Sequence, residues 1–268
     1  MRYQICRVPV DDISDVEILN LLKYWLSHVE QKFVTTPNPE MILLVQNNEV
    51  FQAVLNKSDL SLPDGVGLQF AALALNGSPI HHRRTGVDFV EQVCSLAEQA
   101  NKRVLFFGGD PHSAEKAANK MKTKFSNLHI EAFDPGIIPI LENKIDIQPS
   151  VINEINKRNP DVLFVGLSQV KQELFIDQIR SHVPSVKIAA GIGGAFEMIA
   201  GIKPRAPKWM QEMGVEWIWR LLIEPKRFAR IFHAVFLFPA MIISCTLKQH
   251  RFWQATWLVL KELLKKRK

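Results

Sequence analysis

Between residues 101 and 200 the chain alternates short, wholly apolar runs with longer stretches in which apolar and charged residues mix. Arg103–Phe107 (RVLFF) is a run of the first kind and stops at Gly108-Gly109, and His112–Phe125 has helical composition. Leu128–Phe133 predicts a second strand, closed by the turn Asp134-Pro135-Gly136, and Val151–Arg158 predicts a helix. Asp161–Val165 (DVLFV) ends at Gly166 and is followed by a helix over Lys171–His182. Val186–Ala190 then runs into Gly191-Ile192-Gly193-Gly194. Continuous apolar strands separated by helices of roughly 10–15 residues belong to parallel βαβ units, whose sheet is covered on both faces.

The first hundred residues extend the pattern. Lys32–Thr35 predicts a strand entering Thr36-Pro37-Asn38-Pro39, and Glu40–Asn56 a helix. Leu60–Leu62 leads into Pro63-Asp64-Gly65, with helices expected over Val66–Leu75 and Gly86–Ala100. No repeat at a fixed period and no low-complexity stretch is present. The expected fold class is α/β: a Rossmann-like, mostly parallel sheet with flanking helices over residues 1–200, followed by a helical C-terminal appendage over 201–268.

In open α/β sheets ligands sit beyond the carboxyl ends of the strands, where loops meet helix N-termini. That rule selects Thr35–Asn38, Pro63–Gly67, Gly108–Asp110, Gly166–Glu173 and Gly191–Glu197. Asp64, on a tight turn, serves either as a helix N-cap or as a general base toward a hydroxyl, and the sequence leaves both open. Thr36 and Asn38 are either turn formers or site contacts. Gly108-Gly109 and Gly193-Gly194 can bring backbone N–H groups to a pyrophosphate, yet neither stretch is a G-x-G-x-x-G fingerprint or carries a Walker A lysine. Arg83-Arg84 suits a developing phosphate charge or simply solvent. His81-His82 has no partner at metal-ligand spacing. Lys171-Gln172-Glu173 is a polar helix start facing the same strand ends. No Asp-x-Asp occurs, which argues against a carboxylate-held Mg²⁺ or Mn²⁺.

Charge separates the tail from the body. Residues 201–268 hold 14 Lys/Arg against four Glu and no Asp, a net +10 in a chain whose total is +6. Five of the six tryptophans (Trp209, Trp217, Trp219, Trp253 and Trp257) lie there too. Cations interleaved with indoles suit a membrane–water interface. Nucleic acid is the poorer explanation, because the positive charge sits beside long apolar runs that phosphate binding does not need. Ile231–Leu247 is short for a spanning helix and contains His233 and Pro239. Phe252–Lys268, with Trp253, Trp257, Leu260 and Leu264 at helical spacing before Lys265-Lys266-Arg267-Lys268, predicts a basic amphipathic helix lying in the interface. Peripheral attachment is the expectation. A buried core helix or a contact between copies in a homo-oligomer are the other uses of Ile231–Leu247. The start, MRYQICRVPVDD, lacks a signal-peptide apolar region, and Cys6, Cys94 and Cys245 read as reduced thiols.

The segments form an ordered set: Thr36-Pro37-Asn38; Pro63-Asp64-Gly65-Val66-Gly67; Arg83 with Gly86; Gly166 then Lys171-Gln172-Glu173; Gly193-Gly194-Ala195-Phe196; Gly201-Ile202-Lys203-Pro204-Arg205-Ala206-Pro207. Trp209, Gly214-Val215-Glu216-Trp217, Arg220-Leu221, Glu224-Pro225 and Arg227 follow. From about residue 5 to residue 230 this resembles the WecG/TagA/CpsF family of bacterial glycosyltransferases (glycosyltransferase family 26). The resemblance implies an inverting transferase with no cofactor or metal. It would move a hexose, an N-acetylhexosamine or its uronic acid from a UDP-sugar to a polyprenyl-diphosphate-linked saccharide, for cell-envelope polysaccharide, at the cytoplasmic face of the inner membrane. It implies Asp64, Thr36 and Arg83 as catalytic residues. The donor would meet Asn38, Gly65, Gly108, Gly109, Gly166, Gln172, Glu173, Gly193 and Gly194, and the lipid diphosphate Arg220, Arg227 and Arg230. Val170 departs from the proline common there in the family, and Arg84 beside Arg83 leaves open which arginine faces the site. A nucleotide-dependent oxidoreductase would use the same sheet, and a non-catalytic membrane adaptor would explain the tail alone. The first predicts reduced-cofactor binding, the second no UDP affinity.

Overall fold

The structure is a computed structural model that describes residues 1–141 and 144–265. The chain opens with an antiparallel hairpin, β1 (Arg2–Ile5) and β2 (Val8–Asp11), then α1 (Asp15–Ser27). Strand β3 (Lys32–Thr35) leads into α2 (Pro39–Leu44) and α3 (Glu49–Asn56), and β4 (Leu60–Ser61) into α4 (Val66–Asn76) and α5 (Gly86–Gln99). Next come β5 (Arg103–Gly108), α6 (Ser113–Lys124) and β6 (His129–Phe133), a small hairpin of β7 (Ile140–Leu141) and β8 (Lys144–Ile145), and α7 (Pro149–Arg158). The body ends with β9 (Val162–Gly166), α8 (Lys171–Ile179), β10 (Ile188–Gly191) and α9 (Ala195–Ile199). The remainder is helical: α10 (Lys208–Glu212), α11 (Glu216–Ile223), α12 (Phe228–Phe232), α13 (Phe238–Lys248) and α14 (Phe252–Lys265), with a π-helical stretch His233–Leu237 between α12 and α13.

Six strands form one parallel sheet in the order β4-β3-β10-β9-β5-β6. Side chains alternate with the strand's period of two. Phe106 and Phe164 face the core under α1, α5, α6 and α9, while Leu105, Phe107, Leu163 and Val165 face the one under α3, α7 and α8. The connections leaving β5 and β9 run in opposite directions, which opens a crevice at the carboxyl edge where Gly108 pairs with Gly166.

The helix expected over Glu40–Asn56 is instead two. Asn48 leaves helical geometry at φ −141° and its side chain accepts the Phe51 N–H at 2.9 Å, starting α3 afresh. The expected run Lys171–His182 closes as a 3₁₀ turn from Arg180.

At the C-terminus, a helix over Pro225–Lys248 runs for 24 residues with mean hydropathy 1.8 in its most apolar stretch, enough by length and composition to cross a membrane. It nevertheless packs one face on the body. Phe238 and Ile242, with Ala255 of α14, join a third core built from β1, β2, α2, α3 and α4. Trp253, Trp257, Leu260 and Leu264 lie on the exposed side of α14. Of the expected cationic terminus, residues 266–268 and the side chain of Lys265 lie outside the described residues.

Candidate active site

Four of the five strand-end loops open onto one cavity of about 270 Å³, and of the fifth Asp110 reaches it. The body contributes Thr36, Asn38, Asp64, Asp110, Gly166, Gln172, Gly193, Gly194 and Glu197, and the appendage roofs it with Lys203, Arg205, Glu216, Arg220, Arg227 and Arg230.

Asp64 is locked in place through its backbone. Its N–H donates to the Pro37 carbonyl at 2.9 Å, which ties the β4 turn to the β3 turn, and Leu62 N–H donates to Thr35 at 2.8 Å. The N-cap of α4 is Gly65, at φ 104°, and no side chain caps that helix. Asp64 is therefore free of the capping role. No hydrogen bond or ion pair reaches its carboxylate among the described residues. The carboxylate keeps some contact with the cavity while protein crowds it on every other side. That burial raises its pKa above the usual aspartate value, Arg220 and Arg83 pull it back, and Glu216 and Asp88 add to the rise. A carboxylate made more basic by burial, with an open face toward a cavity, is suited to taking a proton from a hydroxyl.

Thr36 spans two strand ends by donating from Oγ1 to the Gly191 carbonyl at 3.1 Å. Asn38 is divided in its roles. Its Oδ1 caps α2 by accepting from Met41 N–H at 3.0 Å, and the residue also lines the cavity. Gln172 accepts the Gly193 N–H at 2.9 Å and donates to Glu173 at 2.7 Å. A Cβ at Gly191 would stand 2.7 Å from the Gln172 Nε2, so this strand end accommodates the glutamine only as glycine. Glu173 does not reach the cavity. It is fully buried, accepts the Val170 N–H at 2.8 Å, and burial pushes its carboxyl up to about 7. It braces Gln172 from behind. Val170 takes φ 72° and ψ −54°, a positive-φ turn that a proline ring excludes, so the family's usual residue could not make this loop.

Besides Glu173, four of the expected residues do not line the cavity: Gly65, which starts α4, and Gly108, Gly109 and Arg83. Gly108 and Gly109, at φ 77° and 94°, bend the chain after β5, and the neighbouring Asp110 reaches the cavity instead. Arg83 does not line it. Both its terminal nitrogens lie 3.1 Å from Glu216 Oε1 and one donates to the Gln211 carbonyl at 2.9 Å, so it fastens the appendage to the body. Arg84 is buried and paired with Asp15 at 2.8 Å, facing away.

The three appendage arginines do converge, although Pro225 ends α11 and the chain passes through a 3₁₀ turn before α12. Arg220 is in no ion pair among the described residues and touches Met198 Sδ at 3.6 Å. Arg227 pairs with Glu224 at 2.9 Å, and Arg230 with Glu40 at 2.8 Å. Burial lowers the Arg227 pKa, with Arg220 and Arg230 adding to that against the pull of Glu224.

Sequence reasoning missed a rim of acids and bases. Lys203 bridges Asp110 (3.2 Å) and Glu224 (3.3 Å), and Arg205 grips Asp88 at 2.8 Å. Burial alone would lower the Lys203 ammonium, but Asp110, Glu197 and Glu224 raise it. Glu197 is buried, accepts the Asp110 N–H at 3.1 Å with one oxygen, and has no hydrogen-bond partner for the other among the described residues. Lys203 and Arg205 were visible within the Lys-Pro-Arg-Ala-Pro run, and Asp110 and Glu197 lay at the ends of selected strand-end loops, but none of the four was singled out as a site side chain. No group of three or more His, Cys, Asp or Glu placed to hold a metal ion occurs among the described residues.

The profile of the glycosyl transferase WecG/TagA/CpsF family matches residues 3–252. The chain belongs to this family. It is a glycosyltransferase. Among its relatives is an N-acetylglucosaminyldiphosphoundecaprenol N-acetyl-beta-D-mannosaminyltransferase of Bacillus spizizenii, 30% identical over 224 residues, covering 82% of this chain and 84% of the relative. Proteins of the same name from Bacillus subtilis (28% identical; 76% and 77% covered) and Staphylococcus aureus (26%; 86% and 88%) also match. The matched span takes in both the strand-end loops and the arginine-bearing helices, and it sets the oxidoreductase and adaptor readings aside.

Proposed function

We propose that this chain transfers a sugar from a UDP-sugar to a polyprenyl-diphosphate-linked saccharide by a single inverting displacement. The observation that carries the reading is the unpartnered Asp64 carboxylate facing a cavity roofed by Arg220, Arg227 and Arg230. Asp64 takes the proton from the acceptor hydroxyl, the oxygen bonds to the anomeric carbon, and the bond from that carbon to the UDP oxygen breaks. The electron pair leaves on the UDP diphosphate. Appendage cations supply the counter-charge, so the chemistry does not call for a metal. Thr36, Asn38 and Gln172 hold the donor side, with Glu173 as the brace behind Gln172. Arg220, Arg227 and Arg230 take the acceptor's diphosphate. The relatives' names make N-acetylmannosamine the first donor sugar and lipid-diphosphate N-acetylglucosamine the first acceptor to try.

Attachment is peripheral, at the cytoplasmic membrane face. A helix with Phe238 and Ile242 buried in the body's own core cannot leave it to span a bilayer without exposing that core. Phe228, Phe232 and Phe236 of the same helix, with Trp253 and Trp257 of α14, present an exposed apolar surface for the interface. A panel of UDP-sugars is offered with the lipid-diphosphate monosaccharide, and transfer is followed by mass spectrometry of the lipid. Extension of the lipid by one sugar with UDP release is expected. No transfer from any UDP-sugar would contradict the proposal.

A further inference from the structure

Two of the cavity arginines each face a carboxylate through Nε. Glu224 Oε2 lies 2.9 Å from the Nε of Arg227 as an ion pair, and Glu40 accepts from the Nε of Arg230 with both oxygens, at 2.8 and 3.0 Å. Among the described residues no hydrogen bond engages the Nη1 or Nη2 of either arginine. The carboxylates therefore grip the back of each guanidinium and leave its terminal fork open. Glu40 itself does not line the cavity. It lies in the first turn of α2, two residues after Asn38, which does.

We propose that Glu40 is a positioning residue: by holding Arg230 through Nε, it presents the free Nη1–Nη2 edge at the cavity mouth to the diphosphate of the lipid acceptor. The proposal rests on the assignment of the appendage arginines to the acceptor. A guanidinium fork recognises phosphate oxygens in pairs, but only when its plane is fixed, and an arginine on an unrestrained stem samples many rotamers. The Arg230 side chain is 47% exposed and so only partly held by packing, and the Glu40 side chain, 16% exposed, is the firmer partner. A carboxylate near a diphosphate also repels it. The Arg230 guanidinium paired with that carboxylate offsets the repulsion, whereas nothing offsets a loss of orientation. The grip therefore dominates.

The experiment uses the full chain and needs no turnover. Farnesyl diphosphate, a soluble prenyl diphosphate, and UDP are each titrated by calorimetry into the wild type, Glu40→Ala, Glu40→Gln, Arg230→Lys and the Glu40→Ala/Arg230→Lys double variant. Glu40→Ala should raise the Kd for farnesyl diphosphate about tenfold, and Glu40→Gln, which keeps an oxygen for the Nε, by no more than about twofold. Arg230→Lys keeps the charge and loses the fork, so it should match Glu40→Ala, and the double variant should be no weaker than Arg230→Lys. UDP affinity and Tm should stay at wild-type values throughout. The proposal is overturned if Glu40→Ala binds farnesyl diphosphate as well as or better than wild type, or if the two substitutions add. It is equally overturned if UDP affinity falls in step, or if the wild type does not bind farnesyl diphosphate. Absence of sugar transfer by a wild type that shows the expected binding pattern would instead contradict the proposed function and leave this assignment standing.

Discussion

Replacing Phe238 by alanine tests how the C-terminal helix is held. The ring is 1% exposed and packs toward Gly67 of α4, where an added Cβ would lie 3.5 Å from Phe238 Cε1. A buried phenylalanine removes roughly 150–200 Å² from water, which at about 25 cal/mol per Å² is about 4–5 kcal/mol. Phe→Ala substitutions in cores fall in a similar range, about 3–5 kcal/mol. The loss should be local, because the strands of the sheet are packed in the two other cores. Hydrogen exchange followed by mass spectrometry, on lipid-free protein, reads this directly. Amides of Phe228–Lys248 should exchange about 10²–10⁴ times faster in the variant, while those of β5, β9 and β10 keep their protection. Unchanged exchange in Phe228–Lys248 would show that the body does not hold this helix through Phe238, and would remove the argument against a membrane span.

Gly191→Ala drives a methyl into the braced Gln172 side chain, 2.7 Å away, and should lower stability by about 1–3 kcal/mol in a denaturant titration and weaken UDP binding with it. Because burial raises the Asp64 pKa and the ionised form is the base, the acid limb of kcat/KM should titrate above about pH 4, where an ordinary aspartate does; a limb at or below that value would contradict the site's electrostatics. Glu173 is raised from 4.5 to about 7, so the folded state holds its proton longer than the unfolded chain; stability should fall as pH rises from about 4.5 through 7, and a Tm that rises or stays flat across that window refutes it. Transfer should persist in excess EDTA; loss that Mg²⁺ or Mn²⁺ restores would overturn the metal-free mechanism.

The centre of the parallel sheet was legible because β5, β9 and β10 are buried on both faces and stand out as apolar runs. Each of the six begins and ends within two residues of the expected bounds. The β1–β2 hairpin was not legible. Its turn uses Cys6 and Arg7 at φ 47° and 73°, a conformation ordinarily announced by Asn-Gly. Helix α1 did carry a signal, the reciprocal Ser14–Glu17 cap, beside an apolar face at Ile18, Leu22, Trp25 and Leu26. In the site, the strand-end rule found the right loops but not which side chains turn inward. Arg83 is diverted by Glu216, 133 residues away, and Arg205 is set at the cavity rim by Asp88, 117 residues away. Pairings at such separations have no local pattern. The meeting of Arg220, Arg227 and Arg230 survived a helix break because the turn at Pro225 keeps all three on the cavity side.

Asp64 is the base that takes the acceptor's proton in the proposed reaction. Asp64→Asn keeps the size and shape of the side chain and removes its basicity. Turnover with UDP-N-acetylmannosamine, or whichever UDP-sugar the panel selects, should fall by about 10²–10⁴-fold, with the Kd for UDP unchanged. An Asp64→Asn enzyme that transfers sugar at near the wild-type rate would contradict the account.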